Sequence, residues 1–380
     1  MTILVRGARQ LLTLRGPAGP RRGPTLADLG VIPDGSLLIR DGTILEAGPT
    51  RRVENLAAAR PARELNAAGR VVMPGFVDCH THLACDAGLG TTVNAVRAAQ
   101  SSRLEARARS TAARMLRHGT TAFESKSGYG LDHSTELKIL RVTRRLADGP
   151  WEVVAAYFGA RAVPPDWNGP AYLDWILKEL LPKIHRRKLA RFVEADAAAF
   201  GAADARTFLL AARALGFAVK VQGDATVAVE TGAVAVSRFD DASPGALSAL
   251  AASPSVAVLL PDALAHARTL ADLGAAVALS SGFDPGRPTT DSMQAVAAQR
   301  RGLTPEEALA AATINAAHAL GLGARIGSLE PGKQADLLLL NCSDYREIPY
   351  HFGVNHVHLT MKRGTVVYRE GSAGAWPKPS

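Results

Sequence analysis

The feature that most constrains the fold is a long middle section in which short apolar runs alternate with helical patterns. Eight of these runs are rich in β-branched residues and have the length of buried strands. Eight repeats of strand and helix predict a (β/α)₈ barrel, which is an α/β fold. A doubly wound open sheet is the alternative, but no glycine-rich dinucleotide motif follows an early strand. The candidate strands span residues 71–79, 120–125, 152–159, 190–196, 217–222, 233–237, 256–261 and 275–281.

The two ends of the chain have a different pattern, in which short alternating runs are broken by glycine. Asp41-Gly42 and Arg363-Gly364 are two-residue hairpin signals, one at each end. The 380 residues, at roughly 150 per domain, leave room for more than one domain. We therefore expect a small sheet domain built from residues 1–70 together with 330–370, a barrel over 71–329 and a tail over 371–380.

Local patterns in the barrel region predict two helices and one ion pair. Residues 92–118 carry apolar side chains at three- and four-residue spacing and are expected to form one helix. A later helix should begin at Thr304, because a first-turn proline and a capping-box glutamate follow it. Glu124 and Lys126, at the end of the second strand, are expected to form a buried ion pair that supports the barrel mouth.

Composition bears on partners and compartment. Lys and Arg number 44 against 35 Asp and Glu, a formal balance of +9, but the arginines are scattered and no aromatic residues interleave with them. This pattern is typical of a solvated surface and predicts no nucleic-acid partner. Arg6 and Arg9 interrupt what would be the apolar core of a signal peptide, and no apolar run reaches the roughly 18 residues of a membrane span. We expect a cytoplasmic protein with no membrane contact, whose odd set of cysteines stays reduced: Cys79, Cys85 and Cys342.

A His-x-His motif follows the first barrel strand, at His80 and His82. Residues two apart in extended backbone point to the same side, so both imidazoles could reach one ion at the barrel mouth. Zinc and related metals favour nitrogen ligands. Two histidines that are hydrogen-bonded in a loop would be the alternative, and the position after an apolar strand favours the metal site.

Several longer motifs resemble those of a known enzyme family. They extend over nearly the whole chain and include PGFVDCHTHL, TTAFESKSGYGLDHSTELK, FGARAVPP, EEALAAATINAAHALGL, RIGSLEPGKQADLLLLN and YHFGVNHVHLTMKRGTVVY. Together they resemble the imidazolonepropionases, the histidine-degradation branch of the amidohydrolase superfamily. SKSGYGLD and YHFGVNHV are distinctive of that branch, whereas His-x-His and EPGKQAD are shared across the superfamily. The resemblance implies a metal-bearing (β/α)₈ barrel with a composite β-sandwich.

The resemblance also implies a reaction, the hydrolytic opening of 4-imidazolone-5-propanoate to N-formimino-L-glutamate. One ion, zinc or iron, would supply the attacking hydroxide, because a bound metal lowers the pKa of its water to around 7 and polarises the carbonyl. A nearby carboxylate or histidine would move the proton. The family's ligands are the His-x-His pair, a histidine in the fifth-strand motif K-x-H-A-D-[EQ] and an aspartate in the eighth-strand motif A-T-D-x-N-P-G.

This sequence departs from the family at those ligand positions. Gln222 stands at the fifth-strand histidine and Gly282 at the eighth-strand aspartate, so only His80 and His82 remain of the metal ligands. Arg238 stands where the family has a catalytic histidine. By the resemblance, Asp224 in the fifth-strand motif and Arg238 are the candidate catalytic residues. Asp86, Asp224 and Asp284 are the carboxylates that could replace the lost ligands.

The substrate side is altered as well. The loop after His82, which carries a carboxylate-binding arginine in the family, is shortened here, and that arginine has no evident counterpart. Arg161 takes the place of a histidine in the motif G-A-H-A, and Asp284 that of a substrate-contacting asparagine. The residues at candidate substrate-binding positions are Tyr129, Arg161, Asp284, Gly286 and Arg287.

Three interpretations of function follow. The first is an imidazolonepropionase-like hydrolase with an altered metal site. The second is a catalytically inactive paralogue that binds a small anionic ligand through Arg161, Arg238 and Arg287. The third is a hydrolase of another cyclic amide that has recruited different ligands. A small molecule is the expected partner in each case, and a homodimer remains open.

Overall fold

The computed structural model describes residues 1–85, 93–287, 289–300 and 302–372. Its strands, numbered in chain order, form two separate eight-stranded sheets. The strands are β1 (Thr2–Leu12), β2 (Val31–Arg40), β3 (Thr43–Pro49), β4 (Arg63–Asn66), β5 (Val71–Pro74), β6 (Phe76–Asp78), β7 (Thr120–Lys126), β8 (Glu152–Ala160), β9 (Phe192–Asp196), β10 (Ala218–Gln222), β11 (Ala235–Ser237), β12 (Val256–Leu259), β13 (Ala276–Leu279), β14 (Leu337–Leu340), β15 (Val357–Lys362) and β16 (Thr365–Arg369).

Strands β6 to β13 form a parallel sheet in which every strand pairs with its neighbours in the chain. The sheet closes into a barrel where β13 meets β6. There the hydroxyls of Ser280 and Ser281 donate to the carboxylate of Asp78, and the His82 amide donates to the Phe283 carbonyl at 2.8 Å. Burial raises the pKa of Asp78 to about 6, although the two serine hydrogen bonds lower it. The predicted eight-stranded α/β barrel is confirmed.

The other sheet is mixed and comes from both ends of the chain, in the order β16-β15-β14-β5-β1-β2-β3, with β4 beside β1. Its two predicted hairpins are present, β2 with β3 and β15 with β16. Both turns place two successive residues at positive φ, with Asp41 at 49° and Gly42 at 80°, and Arg363 at 48° and Gly364 at 73°. Such turns match the twist of an antiparallel pair, which is why the aspartate-glycine signal identified the first hairpin correctly.

The prediction of one strand over residues 71–79 was wrong, because the chain changes sheets there. β5 pairs with β14 and β1 in the terminal sheet, whereas β6 pairs with β7 in the barrel. The break is at Gly75, where a Cβ atom would lie 2.3 Å from the Thr121 hydroxyl oxygen. A side chain at position 75 would therefore clash with the Thr121 side chain, whereas glycine leaves room for it.

The helices lie between successive barrel strands and at the edges of the terminal sheet. The single helix expected over 92–118 is two helices, because Gln100 is extended and Lys138 donates to carbonyls at the end of the first helix, at 2.8–2.9 Å. The capped helix begins at Thr304 as predicted. The α-helices are Thr50–Val53, Val93–Ala98, Ser101–Arg117, His133–Leu146, Gly169–Trp175, Leu181–Arg186, Ala197–Phe200, Ala202–Ala214, Ala225–Thr231, Pro244–Ala252, Ala267–Asp272, Met293–Ala298, Pro305–Ala310, Ala316–Ala319 and Glu347–Tyr350, with π turns at Ile176–Leu180 and Ala311–Asn315 and 3₁₀ turns at Gly23–Ala27 and Ala57–Ala59.

Apolar packing follows the same division. One large buried cluster joins barrel strands to their surrounding helices, and a separate cluster lines the inner face of the terminal sheet. All three cysteines are buried, and none of them forms a disulfide. Among the residues described, no helix is both long enough and apolar enough to cross a membrane.

Candidate functional site

A cavity of about 420 Å³ opens at the carboxyl ends of the barrel strands, where parallel α/β barrels place their chemistry. It contains most of the residues singled out from the sequence. A depression of about 690 Å³ near residues 298–304 is larger, but its described lining has neither a histidine nor a carboxylate. The site cavity is lined by His80, His82, Arg161, Ala162, Asp196, Gln222, Arg238, Gly282, Asp284 and Arg287.

The histidine pair lies just beyond β6, and both side chains are buried. Their ring centroids are 6.1 Å apart and the rings are nearly perpendicular, at 72°. Burial, followed by the repulsion of Arg161, lowers the pKa of His82 to about 3. Burial and the nearby Lys126 ammonium lower the pKa of His80 well below its usual value. Both imidazoles are therefore neutral at pH 7, and Nδ1 of His82 has no hydrogen-bond partner among the described residues.

The other family ligand positions do not complete a metal site. The amide nitrogen of Gln222 donates to Asp196 Oδ2 at 2.6 Å, and Gly282 has no side chain to offer. Arg238 adds a permanent cation to the same cavity. Over the described residues, no group of three or more His, Cys, Asp and Glu side chains is placed to hold an ion. The donors that these residues present do not fit a catalytic zinc, which needs three protein ligands.

The two described carboxylates that were candidates for replacing metal ligands, Asp224 and Asp284, form hydrogen bonds with other residues. Asp224 Oδ1 accepts from the Val227 amide at 3.0 Å and caps the helix Ala225–Thr231, and Asp224 does not line the cavity. Asp284 lines the cavity but accepts from the Tyr129 hydroxyl and from the Gly286 amide at 3.0 Å. Asp86 lies outside the described residues.

Tyr129, Arg161 and Asp284 form one group on the cavity wall. Tyr129 donates its hydroxyl to Asp284, and the Arg161 guanidinium lies over the Tyr129 ring, 4.1 Å from its centroid. Burial would raise the pKa of Asp284, but His82 and the tyrosine hydrogen bond outweigh burial and lower it. Arg287 lies 4.0 Å from the same carboxylate and is about half exposed. Asp284 is thus an ionised acceptor that holds Tyr129 under Arg161.

Arg238 follows β11 with a left-handed φ of 54°, a conformation that is uncommon for a side chain of this size. Its Nη1 donates to Asp262 Oδ2 at 3.0 Å. The backbone turn aims a guanidinium at the cavity where the family has a histidine. Asp262 was not predicted, because no pattern in the sequence links it to this position.

Beneath the cavity, four charged side chains fill the barrel interior and are at most 3% exposed. Lys126 Nζ lies 2.7 Å from Glu124 Oε2 and also contacts Glu194, and Lys220 Nζ lies 2.6 Å from Glu124 Oε1. Burial lowers the pKa of Lys126, but the two carboxylates outweigh burial and keep this pKa above its usual value. The predicted Glu124–Lys126 pair is present. Glu194 and Lys220, which complete this four-charge cluster, were missed, although their place in alternating strand patterns could have indicated that they point inward.

Comparison with known proteins places this barrel in a family. The chain is 39% identical to an imidazolonepropionase of Symbiobacterium thermophilum over 97% of its own length and 98% of the relative. It is 36% identical to the imidazolonepropionase of Geobacillus kaustophilus over the same shares of each chain. The chain belongs to the imidazolonepropionase family. The broader Amidohydrolase family matches residues 71–125 and 250–367.

Solved structures support the fold of this imidazolonepropionase relative. Aspergillus niger ochratoxinase superposes with a TM-score of 0.76 at 18% identity, covering 100% of this chain and 98% of that one. Escherichia coli guanine deaminase superposes with a TM-score of 0.70 at 18% identity, covering 97% and 99%. Amidohydrolases generally use a metal ion, and the cavity described above lies at the barrel end where such folds place their chemistry.

Proposed function

We propose that this imidazolonepropionase relative binds a small carboxylate at the barrel mouth and does not perform metal-hydroxide hydrolysis. One observation carries the proposal: the cavity presents three guanidinium groups where only two of four family metal ligands remain, namely Arg161, Arg238 and Arg287. An ion that generates hydroxide needs ligands of opposite charge or basic nitrogen, and an amide and a glycine supply neither.

The charges in the cavity favour an anion. Three arginines line the cavity beside two carboxylates, Asp196 and Asp284, and both histidines are neutral at pH 7. Arg238 is paired with Asp262, and Arg287 lies near Asp284. No described carboxylate lies within ion-pairing distance of Arg161, which stacks on Tyr129. Arg161 is therefore the cation available to a ligand.

The curated relatives suggest the kind of carboxylate. They are named imidazolonepropionase, so their substrate carries a propanoate chain on a five-membered ring. We infer that this chain binds a molecule of that size and charge, with its carboxylate on Arg161. The arginine predicted for this role in the family is absent, and Arg161 approaches the cavity from the end of β8.

Binding is tested by calorimetry at pH 8.5, where the imidazole ring is neutral, with 3-(imidazol-4-yl)propanoate and with its methyl ester, which lacks the carboxylate. We expect the acid to bind at least ten times more tightly, because an ion pair with a guanidinium contributes about 1.5–3 kcal/mol. Arg161→Met should remove most of that difference, whereas Arg9→Met, on the exposed face of β1, should not change it. Equal affinity for acid and ester would contradict the proposal.

The hydrolase interpretation is supported by 39% identity to an imidazolonepropionase over 97% of the chain, so it must be tested together with the binding proposal. Protein purified without added metal is analysed for zinc and iron by mass spectrometry, and turnover of 4-imidazolone-5-propanoate is followed by its ultraviolet absorbance. We expect less than a tenth of an equivalent of metal and no turnover. One equivalent of bound metal together with turnover would establish the hydrolase instead.

A further inference from the structure

Gln222 and Asp196 form a fixed pair on the cavity wall. They end the neighbouring strands β10 and β9 and are direct partners in the register of these strands. The Gln222 amide nitrogen donates to Asp196 Oδ2 at 2.6 Å. The other carboxylate oxygen, Oδ1, accepts from the amides of Ala198 and Ala199 at 2.9 and 3.3 Å, so the start of the following helix holds Asp196 in place.

The partner determines which way round the Gln222 amide lies. An ionised carboxylate only accepts hydrogen bonds, so the nitrogen of Gln222 must face Asp196 and the carbonyl oxygen must point elsewhere. Gln222 lines the cavity, and its carbonyl oxygen makes no hydrogen bond to any described residue. The amide therefore offers the cavity one acceptor, Oε1, and one remaining N–H donor in a fixed orientation.

A donor and an acceptor side by side match a ligand that presents an N–H next to a C=O. We propose that Gln222, oriented by Asp196, is a specificity-determining residue that recognises such an amide edge on the ligand. Gln222, at the position that the resemblance assigns to a metal ligand, would thus hydrogen-bond directly to the ring of the ligand. This inference rests on the proposed function, because it needs a ligand in the cavity.

The placement of Arg161 is consistent with two-point binding. Arg161 directly follows β8 and Gln222 ends β10, two strands away in the barrel. Neighbouring strands lie about 4.8 Å apart, so roughly 10 Å of wall separates the two groups at their backbones. A short carboxylate chain held at Arg161 can therefore carry its ring towards Gln222. Asp196 itself is occupied by three hydrogen bonds and serves as a positioning residue.

The test uses two probes of similar shape, hydantoin-5-propanoate, which has an amide edge, and 3-cyclopentylpropanoate, which has none. Calorimetry on the unaltered protein should show hydantoin-5-propanoate binding about ten to one hundred times more tightly. Gln222→Leu should reduce that preference to less than threefold and leave the affinity for 3-cyclopentylpropanoate within twofold. Gln299→Leu, on the rim of the separate depression near residues 298–304, is the matched control and should change neither affinity.

Asp196→Asn provides a second variant that keeps a side-chain oxygen for the helix cap. It should lower the preference, because with its oxygen kept on the cap the asparagine turns its amide nitrogen to Gln222, whose Oε1 must then accept from that nitrogen and is no longer available as an acceptor in the cavity. If both probes bind the unaltered protein equally, the inference about Gln222 is overturned while anion binding stands. If neither probe binds, the proposed function fails and this inference fails with it.

Discussion

Replacing Lys126 by methionine tests the four-charge cluster under the site. The change removes one of two buried ammonium groups and leaves Glu124 paired with Lys220 at 2.6 Å and Glu194 without its ion-pair partner. Glu194 is 1% exposed and cannot reach water. Its least costly response is to take up a proton, because a neutral carboxyl avoids the larger cost of a buried unpaired charge.

The free-energy cost of protonating Glu194 sets the expected loss in the free energy of unfolding of Lys126→Met. In the unaltered protein burial raises the pKa of Glu194, and Lys126 opposes that rise. Without Lys126, protonating a carboxyl of ordinary pKa 4.5 at pH 7 costs at most about 1.36 kcal/mol per pH unit, or roughly 3 kcal/mol. The folded variant then holds one more proton than the unfolded chain, so its free energy of unfolding falls as pH rises. The penalty should therefore be about 3 kcal/mol at pH 7 and only about 1 kcal/mol at pH 5.5.

Urea-induced unfolding at both pH values measures this penalty. Adding Glu194→Gln to Lys126→Met should recover most of the loss and remove its pH dependence, because the Glu124–Lys220 pair is kept. Lys178→Met is the matched control, since its ion pair with Asp174 is exposed and should contribute less than about 0.5 kcal/mol. A loss for Lys126→Met that is below about 1 kcal/mol, or that is equal at both pH values, would refute the argument.

Three further predictions concern the site and its pH dependence. Joint replacement of Gln222→His and Gly282→Asp should raise bound zinc from near zero towards one equivalent by mass spectrometry, because it adds an imidazole and a carboxylate to His80 and His82. A Cβ at Gly282 would lie 3.6 Å from the nearest side chain, and the left-handed φ of 60° there makes the aspartate strained. Tyr129→Phe should lower the free energy of unfolding by about 1–2 kcal/mol in urea, because Asp284 loses a buried hydrogen bond. Burial lowers the pKa of His318 to about 4 from 6.5, so the unfolded chain takes up this proton first. Stability should then fall as pH drops from 6.5 to 4, and His318→Gln should remove about 1–2 kcal/mol of that fall, the shift being discounted because the ring is partly solvated.

Each of these has a control and a contrary outcome. The single variant Gln222→His should bind far less zinc than the double variant, and no zinc on the double variant would mean that Arg238 or the cavity shape prevents binding. Tyr350→Phe, at a residue 77% exposed, should leave stability unchanged, and an equally stable Tyr129→Phe would contradict the role given to Asp284. His185→Gln, at an exposed histidine, is the control and should leave the pH dependence of stability unchanged. If the unaltered protein and His318→Gln lose the same stability between pH 6.5 and 4, His318 does not cause that loss.

The strand pattern was sufficient for the barrel because each buried strand is short, apolar and separated by a helix, and these properties are local. The errors occurred where local sequence and tertiary contact disagree. Residues 71–79 form one apolar run in the sequence, but the chain changes sheets at Gly75, where it packs against Thr121. Residues 92–118 have one continuous helical period, but Lys138 binds the carbonyls that end the first helix.

The sequence predicted which residues lie at the candidate site, but it did not predict which of their side chains contact one another. Most of the residues singled out from the motifs lie around one cavity, because parallel strands bring their carboxyl ends together. The sequence did not indicate roles for Asp196, Glu194 and Lys220. Each of them acts through a hydrogen bond or ion pair with a residue on another strand, which the sequence alone does not show. Asp224 matched a family motif but serves as a helix cap in the structure.

The sequence by itself determined the barrel, the two terminal hairpins and the family, because each depends on residue identity and short-range spacing. Only the tertiary structure decided how the side chains around the cavity are arranged. The Gln222 amide is oriented by Asp196, and Arg161 is stacked on Tyr129, which Asp284 holds. Hydrogen bonds and ion pairs of this kind join residues far apart in the chain, and their geometry exists only after the strands have closed into a barrel.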